Sequence, residues 1–364
     1  MYLNWALGLR ALGCRVVWLE AVDPATPIDE ADRGVAALEV TLRQYGLDDS
    51  LALCSRTDEP LPPALAARTV PLELAREADL LLNMAFATCE PVLELFGRTA
   101  LVDIDPGLSQ VLSLTGHWDF PPHDVFFTIG ESVGRPDSLF PDAGISWEHT
   151  THCVALDAWP VQSTADGAFT TVSHWVTGWG RRVSYGDESY ENDKRTGFMP
   201  FVDLPGRTSQ PLELALCLEA DETMQLQPWE EEERSGLEEH GWRVVHAHDV
   251  AGTAWDYQSY VQSSRGEFSW VRPSCLRLLP GWISDRTVCY LASGKPAIVQ
   301  HTGPSRFLPD GEGIFVFRDV AEAARHLDSV AADYERQSAV ARALAEELFD
   351  ARKVVGAVLE RALA

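Results

Sequence analysis

Ser284–Gly303, SDRTVCYLASGKPAIVQHTG, sets a helix grammar directly against a strand grammar. Thr287 to Ser293 winds as a short helix, Gly294 stops it, and Ala297 to Gln300 forms a buried strand. Ser284 followed by Asp285 is an N-cap signature, so free N–H groups open the helix near Asp285 to Val288. Such a start attracts anions, and Arg286 adds a forked donor for phosphate-like oxygens. After the strand, Thr302 and Gly303 sit where a parallel strand delivers its ligand. The plainer reading is a capped helix with a surface arginine, followed by a simple turn.

The same grammar recurs in both directions. Upstream, Tyr2 to Leu12 is helical, Gly13 caps it, and Arg15 to Glu20 is a strand. That is the second half of a strand–helix–strand unit, so a first strand with its glycine turn is expected ahead of it and is missing here. Pro71 to Ala78 and Glu90 to Phe96 read as short helices, and Asp79 to Met84, Ala100 to Asp105 and Val125 to Ile129 as strands. A Pro-rich polar stretch from Leu156 to Ala168 reads as a linker. Beyond it, strands are expected at Phe169–His174, Leu212–Leu216, Trp242–His246 and Gly313–Phe317. A long Gly/Tyr-rich loop runs to Arg195, Trp229 to His240 is an acidic helix, and Tyr257 to Gln262 is a short helix or strand. From Val320 the chain is helical, and Leu344 to Leu363 is placed to pack across both halves.

Continuous apolar strands alternating with helices predict an α/β chain of two Rossmann-like, doubly wound domains facing across a cleft. The expected division is residues 1–160, 161–345, and a helix at 346–364 crossing back. At 364 residues, two cores are natural.

Composition narrows the partners. With 29 basic and 55 acidic residues the formal charge is −26, a field that disfavours nucleic acid and anionic membranes. An anion site in such a chain has to be built locally. The 7 cysteines are odd in number, scattered and without CxxC spacing, which speaks for a reducing compartment. No apolar run approaches a membrane span and no basic leader precedes one, so the cytoplasm is the expected location.

Several further residues lie at predicted strand ends or in polar loops. Ser173 and His174 end a strand, and Arg265 and Glu267 either pair with one another or meet a ligand's anionic and hydroxyl groups. Asp105 at a strand end, and His117 and Glu131 in loops beside glycine, are the candidates for a general base. His149 and His152 lack the further ligands of a zinc set. GxSxG, Walker A, kinase and GxGxxG signatures are all absent.

Taken in order, GLRALGCRVVWLE, VDIDPGLSQ, FFTIGESVG, GISWEHTTH, LDAWP, PFVDLP, YVQSSRGEFSWV, GWISDRTVCYLASGKPAIVQHTG, LPDGEGIFVF and EELFDARKVV resemble a group of bacterial GT-B glycosyltransferase-like proteins. The resemblance covers most of the chain. It implies a nucleotide-sugar donor on the C-terminal domain and a small-molecule or glycan acceptor on the N-terminal one. It also implies catalysis without a bound metal or other cofactor. The donor would then be met by Ser173, His174, Arg265, Glu267, Ser284, Asp285, Arg286, Thr302 and Gly303, with Asp105, His117 or Glu131 deprotonating the acceptor. Where retaining members carry a ribose-binding acid, five residues before Gly294, this chain has Cys289. Asp285 or Glu267 would take over that role, and the stereochemical outcome stays open. Two rival readings remain: a non-catalytic nucleotide-sugar-binding or scaffold protein of the same fold, and a nucleotide-sugar epimerase.

Overall fold

In the computed structural model, residues 1–57, 59–66, 69–84, 90–162, 164, 166–176, 181–218 and 228–364 are described. The N-terminal half contributes strands β1 (Trp18–Val22), β2 (Leu51–Ser55), β3 (Leu81–Met84), β4 (Thr99–Asp103), β5 (Val125–Thr128) and β6 (Trp147–His149). The C-terminal half contributes β7 (Phe169–His174), a hairpin of β8 (Arg182–Tyr185) and β9 (Glu188–Glu191), then β10 (Leu212–Cys217) and β11 (Arg243–His246). Strands β12 (Gly266–Ser269), β13 (Ala297–Gln300) and β14 (Ile314–Phe317) complete it.

The C-terminal sheet has six parallel strands in the order β11-β10-β7-β12-β13-β14. Counted within the sheet this is 3-2-1-4-5-6, the doubly wound order, with its switch point between β7 and β12. Its strands are mostly buried because helices cover both faces. Phe169, Leu214, Leu216, Phe268, Ile298 and Phe317 are all buried in one cluster. Crevices open at switch points on the carboxyl side of such sheets, so the order alone locates a site above His174 and Ser269.

The N-terminal half is parallel as well, but in two pieces: β1 with β2, and β3-β4-β5-β6. Helix α1 (Tyr2–Ala11) lies over both pieces. Its Trp5 packs with Ala100, Val102 and Phe127, while Ala6 and Leu7 pack with Leu51 and Leu53. Among the described residues β1 and β3 each keep one unpaired edge.

The long Gly/Tyr-rich loop after β7 holds the β8–β9 hairpin, which alternation in the sequence did not suggest. Its Val183 is fully buried against Leu108, Val111, Phe140 and Leu278. Tyr257–Gln262 belongs to helix α4 (Ala254–Ser263).

At the C-terminus the helical run is broken. One helix covers Tyr334–Leu348, and a second covers Ala351–Ala362, its first turn capped by Asp350, whose carboxylate accepts the Arg352 N–H. The break coincides with the crossing between halves. The Val154 N–H donates to the Phe349 carbonyl at 2.8 Å, and the Ala351 N–H donates back to the Val154 carbonyl at 3.0 Å. The first helix packs on Val288, Leu291 and Ile314, and the second on Val102 and Phe127.

Candidate functional site

The switch point is occupied by a buried ion pair. Glu267, in the middle of β12, is 0% exposed, and its carboxylate accepts the Arg286 Nε–H at 2.7 Å. The Arg286 guanidinium also donates to the Val172 carbonyl of β7 at 2.8 Å and the Ser269 hydroxyl of β12 at 2.6 Å. Three of its five N–H groups are therefore spent on the two strands flanking the crevice. Glu267 and Arg286, expected as ligand contacts, are paired with one another on the floor of the crevice. Helix α5 (Asp285–Ala292) starts beside them. Its N-cap Ser284 accepts the Arg286 N–H at 3.2 Å, leaving the positive helix end directed at the crevice.

Above this floor stands a cationic group that the sequence reading did not single out. Lys194 begins α3 (Lys194–Phe198), capped by the Asp193 carboxylate. Its Nζ donates to the Trp270 carbonyl at 3.1 Å, and the Trp270 indole donates to the Lys194 carbonyl at 2.8 Å. That reciprocal pair fixes the lysine over the end of β12. Burial, with Arg286 and Arg272 nearby, pushes the Lys194 ammonium down to about 7. Arg272 follows β12 by three residues, and His174 ends β7. Burial lowers the His174 imidazole, and Arg272 and Lys194 lower it further. Two sequence signals were present: Asp193 before Lys194 is an N-cap motif, and Arg272-Pro273 follows the strand-like run FSWV at 268–271.

Across the cleft Asp105 faces these cations, its carboxylate 3.5 Å from the Arg272 guanidinium. Burial raises the Asp105 carboxyl, while Arg272 and Lys194 act against that rise. Its placement depends on Asp103, which is fully buried at the end of β4. The Asp103 carboxylate accepts from the Ser109 hydroxyl (2.8 Å), the Gln110 amide (2.8 Å), the Thr128 hydroxyl (3.1 Å) and the Asp105 N–H (3.1 Å). Ser109 and Gln110 lie on α2 (Leu108–Leu114), so strand, loop and helix are tied at one carboxylate. Asp105 projects from the rigid turn this creates.

A pocket of about 170 Å³ adjoins the crevice, lined by Val271, Ile283, Thr287, Val299, Leu308 and Val316 among others. Its wall is a stack of loops. The Thr302 hydroxyl donates to the Trp282 carbonyl at 2.6 Å and accepts the Trp282 N–H at 3.0 Å. The Gly281 N–H donates to the Thr302 carbonyl at 2.8 Å. A Cβ on Gly303, at φ 127°, would meet the Leu279 carbonyl oxygen at 2.7 Å, so glycine serves loop against loop here. From the N-terminal half, the Glu131 carboxylate accepts the Ser305 hydroxyl and, at 3.0 Å, the Arg306 N–H. Beside it the His149 ring stacks on Phe307 at 5.3 Å.

Other expected residues fall elsewhere. Arg265 precedes β12 and so lies at the amino edge of the sheet, opposite the crevice. There it donates to the Gln210 side chain at 2.8 Å and covers the Phe169 and Tyr334 rings. His117 is exposed beyond the far end of α2, bonded to the Thr115 hydroxyl, roughly 10 Å of helix from the turn carrying Asp105. The Ser173 hydroxyl donates to the His174 carbonyl at 2.9 Å. Cys289 is buried, and its sulfur accepts the Asn4 amide at 3.6 Å; it faces α1. Cys89 and Trp179 lie outside the described residues.

Asp285 faces His152. Burial raises the Asp285 carboxyl, but the Met1 ammonium, His152 and Arg286 together hold it down at about 2. His152 is 3% exposed, and burial pushes its imidazole down to about 4 despite Asp285. Its folded value lies below its unfolded one, so the contribution is intact above pH ~6.5 and is lost as pH falls toward 4. The expected loss is of order 3 kcal/mol. Urea denaturation at pH 7 and pH 4.5 checks this, with His152→Gln expected to flatten the slope.

A parallel sheet whose switch point meets local positive charge and a helix N-terminus is an arrangement suited to an anionic ligand. Residues 218–357 match the family described as glycosyl transferase-like. Over most of the chain the fold is similar to HepE from Anabaena, a structure with UDP and glucose. That match has 13% identity, covers 89% of this chain and 88% of that one, and has a TM-score of 0.51. It is also similar to sucrose-phosphate synthase from Thermosynechococcus elongatus, with 12% identity, 94% and 98% coverage, and a TM-score of 0.53. Comparison with curated proteins gave no match. The chain has the GT-B fold, and its residues 218–357 are similar to the glycosyl transferase-like family. Among the described residues no helix is long and apolar enough to cross a membrane.

Proposed function

We propose that the protein transfers a sugar from a nucleoside-diphosphate donor to a hydroxyl of a small-molecule or glycan acceptor. The observation that carries this reading is the convergence of Lys194, Arg272 and the start of α5 over the switch point, facing Asp105, in a chain of charge −26. Fixed positive groups at that place stabilise a leaving diphosphate electrostatically. With those groups in place the diphosphate's charge is offset by side chains and helix end, which supports transfer without a resident metal. The acceptor oxygen forms its bond to the anomeric carbon as the carbon–phosphate-oxygen bond breaks. Asp105 takes the hydroxyl proton, and the electron pair leaves on the diphosphate. Arg272, released from Asp105 by the donor, turns to the phosphates.

Lys194 gives the reading a pH signature. In the empty cleft it is about half charged near pH 7, and a bound diphosphate favours the charged form. Binding therefore takes up a proton above pH 7, and affinity falls by up to ~10-fold per pH unit as pH rises further. Titration calorimetry with UDP in buffers of different ionisation enthalpy measures the proton uptake. A screen of UDP, GDP and dTDP by thermal shift tests the reading itself, and no stabilisation by any of them would sink it.

A further inference from the structure

Glu131 stands in a loop of the N-terminal half, yet both of its carboxylate oxygens are spent on the turn that walls the pocket of the other half. One oxygen accepts the Ser305 hydroxyl and the other accepts the Arg306 N–H at 3.0 Å. Ser305 passes the constraint on, since its oxygen accepts the Phe307 N–H at 3.2 Å and the Leu308 N–H at 3.0 Å. Leu308 is a wall of the pocket. The backbone around Glu131 grips the same structure from a second side. The Glu131 N–H donates to the Gly281 carbonyl at 3.3 Å, and the Ser132 N–H to the Pro280 carbonyl at 3.1 Å. The Ser132 hydroxyl donates to the Leu279 carbonyl at 3.1 Å. A carboxylate engaged in this way is not free to take an acceptor's proton.

We infer that Glu131 is a positioning residue: reaching across the cleft, it fixes the Ser305–Leu308 turn, so that the pocket reaches its shape only while the two halves are closed on one another. The inference rests on the donor-pocket reading above. Its physical basis is that these bonds run between domains, whereas the bonds holding Arg286 and Lys194 lie within one. Opening the cleft strips the turn of its Glu131 carboxylate contacts and leaves the cationic crevice intact. Diphosphate contact and pocket shape are thereby separable, the second alone depending on closure.

Hydrogen exchange on the ligand-free protein tests the contact without assuming any substrate. Glu131→Ala and Ser305→Ala are each expected to speed amide exchange at residues 305–308 by ~10-fold or more, with the double variant no faster than either single. Glu131→Gln, which keeps an acceptor oxygen, is expected to recover part of the protection. Arg43→Ala, on the exposed helix Ile28–Gln44, should leave the turn unchanged. In parallel, Glu131→Ala is expected to weaken UDP-glucose binding several-fold while changing UDP binding less. Unaltered exchange at 305–308 in a folded Glu131→Ala protein would overturn the inference, as would equal weakening of both ligands. Faster exchange in a protein that binds neither ligand would keep the Glu131 contact and defeat the donor reading instead.

Discussion

Replacing Arg286 by alanine is expected to destabilise the fold by about 3–5 kcal/mol, because it leaves the Glu267 carboxylate buried and unpaired. Glu267 is 0% exposed, and the Arg286 side chain is 13% exposed. The loss has a second source, since Arg286 also bridges the Val172 carbonyl and the Ser269 hydroxyl on the two strands of the switch point. Two further variants separate charge from packing. Glu267→Gln alone is expected to cost less, because a neutral amide is cheaper to bury than a lone carboxylate. An Arg286→Met/Glu267→Leu pair is expected to recover most of the stability, as apolar replacements of buried ion pairs generally do. Urea denaturation with a double-mutant cycle measures all three. A folded Arg286→Ala protein of unchanged stability that had lost nucleotide binding would return the arginine to the ligand.

The second large effect belongs to Asp105. If it is the acceptor's general base, Asp105→Asn should reduce turnover by about 10²–10⁴-fold. Nucleoside-diphosphate affinity should hold or rise, since removing the carboxylate frees Arg272, 3.5 Å away, from its partner. Asp103→Asn provides the contrast. It disturbs four hydrogen bonds that fix the turn, so it should lower both stability and turnover. Single-turnover kinetics with donor in excess, read beside UDP titration, distinguish the two. Equal loss of binding and turnover in Asp105→Asn would make the residue a structural partner of Arg272 instead.

The strand–helix alternation was legible where buried parallel strands are apolar runs, as in Val125–Thr128 and Ile314–Phe317, and the Thr- and Val-containing stretch Phe169–His174 matched β7 end for end. The hairpin after β7 was not, because Arg182–Tyr185 has one buried residue in four and its partner strand has none. At the site, Ser284 as an N-cap and Asp105 at a strand end follow from local rules that the structure repeats. Arg265 and Glu267 show where local reading stops. Two residues apart, one lies at the amino edge of the sheet and the other is sealed under a helix. Which end of a strand faces a ligand is fixed by strand direction and sheet order, and neither is written in a short motif. Lys194 was passed over for the same reason, since only the fold brings it to Trp270, 76 residues later.

The helix Ala351–Ala362 has a consequence for how the chain is made. It supplies Val354, Val355 and Val358 to the core containing Trp5, Ala100 and Phe127, so the first half of the polypeptide shares its interior with a segment translated after the whole of the C-terminal sheet. On a ribosome, the second half can close its sheet while the first still lacks one wall. The order of maturation would then run against the order of synthesis, with the N-terminal half kept open until residues 351–362 emerge.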